Sequence, residues 1–188
     1  MTVVQDFEQL RSVLSKFAAE TPRRAFLYRA DGDQELEPEA TGAFVLVGQT
    51  EAGRFVEIRG LQGELPANIR IEDDVLLISP AERPEDWQHI DDPDADALRS
   101  FSLLDPRTVG DLMDSAEFQA SSDDETVASV HIDLGSLPGL PDEFREFLAV
   151  GSLDRQVELH FKGDNLVEMV QQDLYPRQTD RISERFEG

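Results

Sequence analysis

The chain has 188 residues, with 40 Asp and Glu against 17 Lys and Arg, a net charge of −23, and no cysteine. With 39% hydrophobic residues and 11 phenylalanines, one sizeable core can form despite the charge. The same numbers exclude a disulfide framework, a thiolate zinc site, a cysteine nucleophile and a basic groove for nucleic acid, and they disfavour an anionic membrane surface.

The N-terminus reads as an amphipathic helix. Val3, Phe7, Leu10, Val13, Leu14 and Phe17 follow helical spacing, Thr2 and Gln5 have capping-box spacing, and Pro22 lies beyond the end. From Ala25 to Ser79 the period falls to 2. Phe26 to Tyr28, Ala43 to Val47, Phe55 to Arg59, Asn68 to Glu72 and Val75 to Ser79 read as strands, the last four forming an antiparallel meander through short turns. Asp105-Pro106 has the N-cap and first-position proline of a helix running over Leu112, Met113 and Ala116. Thr126 to Leu134 alternates cleanly, Asp142 to Val150 forms a short amphipathic helix, and Val157 to Phe161 leads through the Lys162–Asn165 loop into a last strand over Leu166 to Leu174. The tail over 177–188 is expected to be flexible or to form one helical turn pinned by Ile182 and Phe186. The pattern is α+β, one domain over 1–188, with an antiparallel sheet of seven or eight strands.

The negative charge is uneven. Residues 82–125 hold 14 acids against three arginines, a net of −11, about half of the total. Asp92, Asp94 and Asp96 alternate like the start of a calcium loop, but Ala97 stands where the sharp turn needs glycine and Leu103 where a bidentate glutamate belongs. The stretch reads as solvated loop. Fifteen arginines against Lys16 and Lys162 fit either adaptation to high salt or an arginine-favouring genome.

Signals for catalysis are weak. His89-Ile90-Asp91 and His131-Ile132-Asp133 each place an imidazole and a carboxylate on one face of a strand, which suits a divalent transition metal or a solvent-side hydrogen bond. His160 alternates outward between Leu159 and Phe161. Gly151-Ser152-Leu153 lacks the second glycine of a nucleophile elbow, and no phosphate-binding glycine loop occurs. No metal, cofactor or catalytic residue is assigned. No apolar run approaches the roughly 18–20 residues of a spanning helix. No charged leader with an apolar segment opens the chain. The expected compartment is the cytoplasm, or the cell envelope if Met1 replaces a removed leader.

The order of elements resembles the lipoprotein-carrier superfamily, the LolA-like and LppX-like proteins. The points of likeness are the N-terminal amphipathic helix, the run of antiparallel strands, Trp87-Gln88-His89-Ile90-Asp91 after the strand ending at Pro80, the Leu103-Leu104-Asp105-Pro106 helix start and the closing hairpin from Val157 to Val170. The chain has no lipobox cysteine of the kind anchored members carry. The resemblance implies a strongly curved, incomplete barrel of mostly antiparallel strands. An N-terminal helix and two short inserted helices would cover its concave face, around a hydrophobic cavity that accepts acyl chains. On that reading the protein is a non-enzymatic binder of a lipid or another apolar ligand. The candidate ligand-binding residues are Phe17, Leu46, Val56, Ile58, Ile71, Ile78, Leu112, Met113, Val130 and Ile132. Ordinary dense packing of the same residues is the competing expectation. The alternative function is an acidic module that docks a basic protein partner through residues 82–125, with association steered by charge.

Overall fold

A computed structural model describes residues 3–30, 37–38, 44–61, 67–73, 75–91, 102–120, 122, 124–133, 154–173 and 181–187. Helix α1 runs over Phe7–Lys16 and begins later than its sequence pattern suggests. Asp6 is the N-cap, its carboxylate accepting from the Gln9 amide at 2.9 Å, while Gln9 Oε1 accepts from the Gln5 amide at 3.0 Å. The cap is therefore made by Asp6 and Gln9, whose side chains accept from one amide inside the helix and one before it; of the expected Thr2–Gln5 pair, Thr2 lies outside the described residues.

The strands are β1 (Arg23–Ala30), β2 (Glu37–Pro38), β3 (Phe44–Gln49), β4 (Arg54–Leu61), β5 (Ala67–Glu72), β6 (Val75–Pro80), β7 (Gln88–His89), β8 (Glu117–Ala120), β9 (Glu125–Asp133), β10 (Asp154–Lys162), β11 (Asn165–Asp173) and β12 (Arg181–Phe186). Helix α2 spans Pro106–Leu112. The strands form one antiparallel sheet in the order β7-β6-β5-β4-β3-β1-β12-β11-β10-β9-β8, with β2 paired to β1. The sheet is curved and open rather than closed into a barrel. Among the described residues it has twelve strands, more than the seven or eight expected, because β2, β7, β8 and β12 are too short or too polar to show a period of 2. The expected helix over 142–150 lies outside the described residues.

The last strand corrects the expectation for the tail. Ile182 and Phe186 stand four apart, as on a helix, but in β12 they share a face with Glu184 between them. A carboxylate at that middle position hides the alternation. The strand sits at the centre of the sheet, with Leu27 of β1 opposite Glu184 on one side and Met169 of β11 opposite it on the other. It joins β1, which continues into the β3 to β7 run, to β11 of the β8 to β11 meander.

Register sorts the two faces. Ala25, Val45, Ile58, Ile69 and Ile78 lie in one row across β1, β3, β4, β5 and β6, and the opposite face carries Arg24, Leu46, Glu57, Arg70 and Leu77 in the neighbouring row. The first row belongs to the side on which Leu10 and Leu14 of α1 and Val109 of α2 join the strands in one apolar cluster. The two helices touch closely. A Cβ on Gly110 would stand 3.0 Å from the Leu14 Cβ, so glycine is the residue that lets α2 lie against α1. At the β10–β11 turn Gly163 takes a φ of 65°, the left-handed first position of a two-residue hairpin loop that glycine adopts without steric cost.

Candidate functional site

Helix α2 is positioned by its own N-terminal pair. Asp105 caps it through the Arg107 amide at 2.9 Å, as its sequence signature predicts. The Arg107 side chain, fully buried, returns to the same carboxylate from Nε at 2.9 Å and from Nη2 at 2.8 Å, and Nη2 also donates to the Gly48 carbonyl at 2.7 Å. This ties the helix start to β3. Burial pushes the Asp105 carboxyl above its ordinary range, opposed by the guanidinium that bonds both its oxygens.

Between α2 and strands β4 and β5 lies a half-open recess of about 460 Å³. Phe55, Val56, Ile71 and Leu112 are its apolar wall, and Ser102, Thr108, Asp73 and Asp105 add polar groups. Arg54 and Asp111 also line it and join across it, Nη1 to Oδ2, at 2.6 Å. Both partners are substantially exposed, so the pair adds at most about 1 kcal/mol and is a bridge that can open. The volume falls within the range of small-molecule sites, roughly 300–1,000 Å³.

The ten residues singled out from the sequence divide among several places. Val56, Ile71 and Leu112 line this recess. Phe17 lines a different one beside α1. Ile58, Met113, Val130 and Ile132 are packed into the apolar cluster. Ile78 is half-buried opposite Ile69. Leu46 lies on the other face of the sheet, opposite Glu57 and Arg24. Its neighbours Val45 and Val47 take the core side, and period 2 forces the residue between them outward.

Sequence reasoning missed a buried polar row that crosses the sheet beneath α2. Arg155 Nη1 donates to Gln171 Oε1 at 3.1 Å, and Gln171 Nε2 donates to the Leu103 carbonyl at 2.7 Å and to Glu184 Oε1 at 3.4 Å. Glu184 is fully buried and its Oε2 has no hydrogen-bond partner among the described residues. Burial raises its pKa well above the usual carboxylate range, nearby Asp105 raises it further, and the bond from Gln171 opposes both. The available signal was a single acid between two apolar residues of a strand, which reads equally as a helix.

The histidine pairs do not assemble. His89 Nδ1 meets Asp91 Oδ1 at 3.0 Å on the exposed edge at β7, whereas His131 and Asp133 lie on β9, near the other end of the strand order. His160 is half-buried rather than at the open surface, with Nε2 3.6 Å from Glu158 Oε2. Among the described residues no three His, Cys, Asp or Glu side chains are grouped to hold a metal ion, and no helix is long and apolar enough to cross a membrane. In the acidic region, residues 92–101 lie outside the described residues. Several of the described acids there are paired within the chain, Glu85 with Arg59, Asp86 with Arg83 and Asp111 with Arg54.

No protein-family model matches the chain, and no curated protein matches it. Among solved structures it is similar to LprF from Mycobacterium bovis, at 14% identity over 96% of this chain and 92% of that one, with a TM-score of 0.32. At that identity and TM-score the likeness supports no inference about what this chain does.

Proposed function

We propose that the protein binds an apolar ligand of the acyl-chain type without chemical conversion, in the recess between α2 and strands β4 and β5. The observation that carries this reading is the meeting of Val56, Ile71 and Leu112, from two strands and a helix, around about 460 Å³ of half-open space. Burial of methylenes contributes about 0.8 kcal/mol each. A chain that buries eight of them gains about 6 kcal/mol, which corresponds to a dissociation constant between millimolar and micromolar. No nucleophile or base is required for such a task. The Arg54–Asp111 bridge at the recess would part to admit the chain at a cost of about 1 kcal/mol or less.

The test is uptake of a fluorescent fatty-acid probe by delipidated protein, compared with Leu112→Trp. Leu112 is half-buried on the wall, so an indole there fills the recess without opening the core. Saturable uptake that the tryptophan variant loses supports the reading. Absence of saturable uptake, or uptake unaffected by the variant, refutes it.

A further inference from the structure

A second recess, of about 480 Å³, shares no lining residue with the first. It is bounded by the C-terminal half of α1, the first residue of β1 and the β10–β11 turn. Val13, Phe17 and Leu166 form apolar wall, and Lys16 and Arg23 stand among them. In a chain with more than two acids for each base, several arginines face carboxylates, as Arg54, Arg59, Arg70, Arg107 and Arg185 do. These two cations differ. The Lys16 carbonyl accepts from the Ala19 amide at 3.2 Å, but the Lys16 ammonium makes no hydrogen bond or ion pair among the described residues. Its place in the last turn of α1 complements the helix dipole, which accounts for a positive charge there but not for Arg23.

Arg23 is held by neutral partners. Nη1 donates to Asn165 Oδ1 at 3.2 Å and Nη2 to the Glu187 carbonyl at 2.8 Å, and the guanidinium lies 5.6 Å from the centre of the Phe17 ring. Phe17 is itself fixed edge-on against Phe186 at 4.9 Å. The guanidinium is thus oriented without being neutralised. The lining carries two cations against one carboxylate, Asp164, a local excess of positive charge in a molecule of net −23. Ala18, also in the lining, has a φ of 53°, the left-handed conformation in which helices commonly end just past the C-cap, here Phe17.

We propose that this recess binds a single-chain amphiphile with an anionic head, a fatty carboxylate, with the head at Lys16 and Arg23 and the tail along Val13, Phe17 and Leu166. The proposal stands independently of the first recess. It is tested on the full chain, labelled with nitrogen-15, by titrating laurate and, separately, the neutral analogue 1-dodecanol while amide shifts are followed. Saturable laurate shifts at Val13, Phe17, Ala18 and Leu166, with laurate bound more tightly than dodecanol, are expected. Lys16→Gln, a change at an exposed position, should weaken laurate about three- to fivefold, as loss of one exposed charge contact does, and leave dodecanol unchanged. Equal affinity for the two probes, or laurate binding indifferent to Lys16→Gln, overturns the anionic head. Shifts confined to β4, β5 and α2 overturn this site while supporting the first recess, and no saturable shift anywhere overturns both.

Discussion

Replacing Glu184 by glutamine should make the fold more stable at neutral pH and flatten its dependence on pH. Glu184 is completely buried at the centre of β12, with one oxygen 3.4 Å from Gln171 Nε2 and the other without a partner among the described residues. The charged and polar groups packed against that row are Asp105 and Arg107 from α2, Gln171 from β11 and Arg155 from β10. Burial and the Asp105 charge hold the carboxyl protonated to a pH well above its unfolded value. The folded state therefore binds one more proton than the unfolded state between the unfolded pKa, about 4.3, and the raised folded one. Because the folded pKa is raised, stability falls as pH rises through that window, by up to about 1.4 kcal/mol per pH unit for one proton. Glutamine keeps the acceptor for Gln171, fills the same volume and has no proton to lose. Urea unfolding followed by Trp87 fluorescence at a series of pH values from 5 upward should show the stability advantage of Glu184→Gln growing as pH rises, by no more than about 1.4 kcal/mol per pH unit. Parallel pH profiles for the two proteins would refute the assignment of a buried, protonated Glu184.

Two further outcomes are expected from the sheet itself. Glu57, almost fully buried on the outer face, accepts from Arg59 Nε at 2.8 Å and from Arg70 Nη1 at 2.9 Å. Glu57→Gln should cost about 2–3 kcal/mol in a urea melt, since it leaves two arginines short of their counter-charge while Arg70 retains Glu72 at 2.8 Å; a loss under 0.5 kcal/mol would show that water replaces the carboxylate at no cost. Deleting residues 181–188 removes the strand between β1 and β11 and the Phe186 contact to Phe17. The shortened chain should show no cooperative unfolding transition by circular dichroism, and an unchanged midpoint would mean that β12 is dispensable.

The meander from β3 to β6 was legible in the sequence because its strands are short alternating or continuous runs rich in β-branched and aromatic residues and its turns are short. The same is true of β9, where burial follows a strict period of 2 from Val127 onward, and of α2, whose Asp-Pro start is a local chemical signal. What hid β12 was one residue. Glu184 occupies a core-facing position, and a pattern of apolar and polar letters cannot distinguish a buried carboxylic acid from a solvated carboxylate.

The candidate sites divide on the same line. Apolar letters gave the same weight to Val56, Ile71 and Leu112, which line a recess, to Val130 and Ile132, which with Val56 and Ile71 belong to the apolar cluster, and to Leu46, which faces outward. Side-chain type fixes the preference for burial, while register and the angle of a helix over a sheet fix which buried residues border open space. The charge followed a similar course. Its negative excess argues against a basic groove for nucleic acid, and the sequence holds no cysteine, both properties of the chain regardless of fold. The convergence of Lys16 and Arg23 on one recess, the row from Arg155 to Glu184 and the anchoring of α2 by Arg107 depend on contacts across up to 164 positions of sequence, and only the tertiary structure brings such groups within the few ångströms over which hydrogen bonds and ion pairs act.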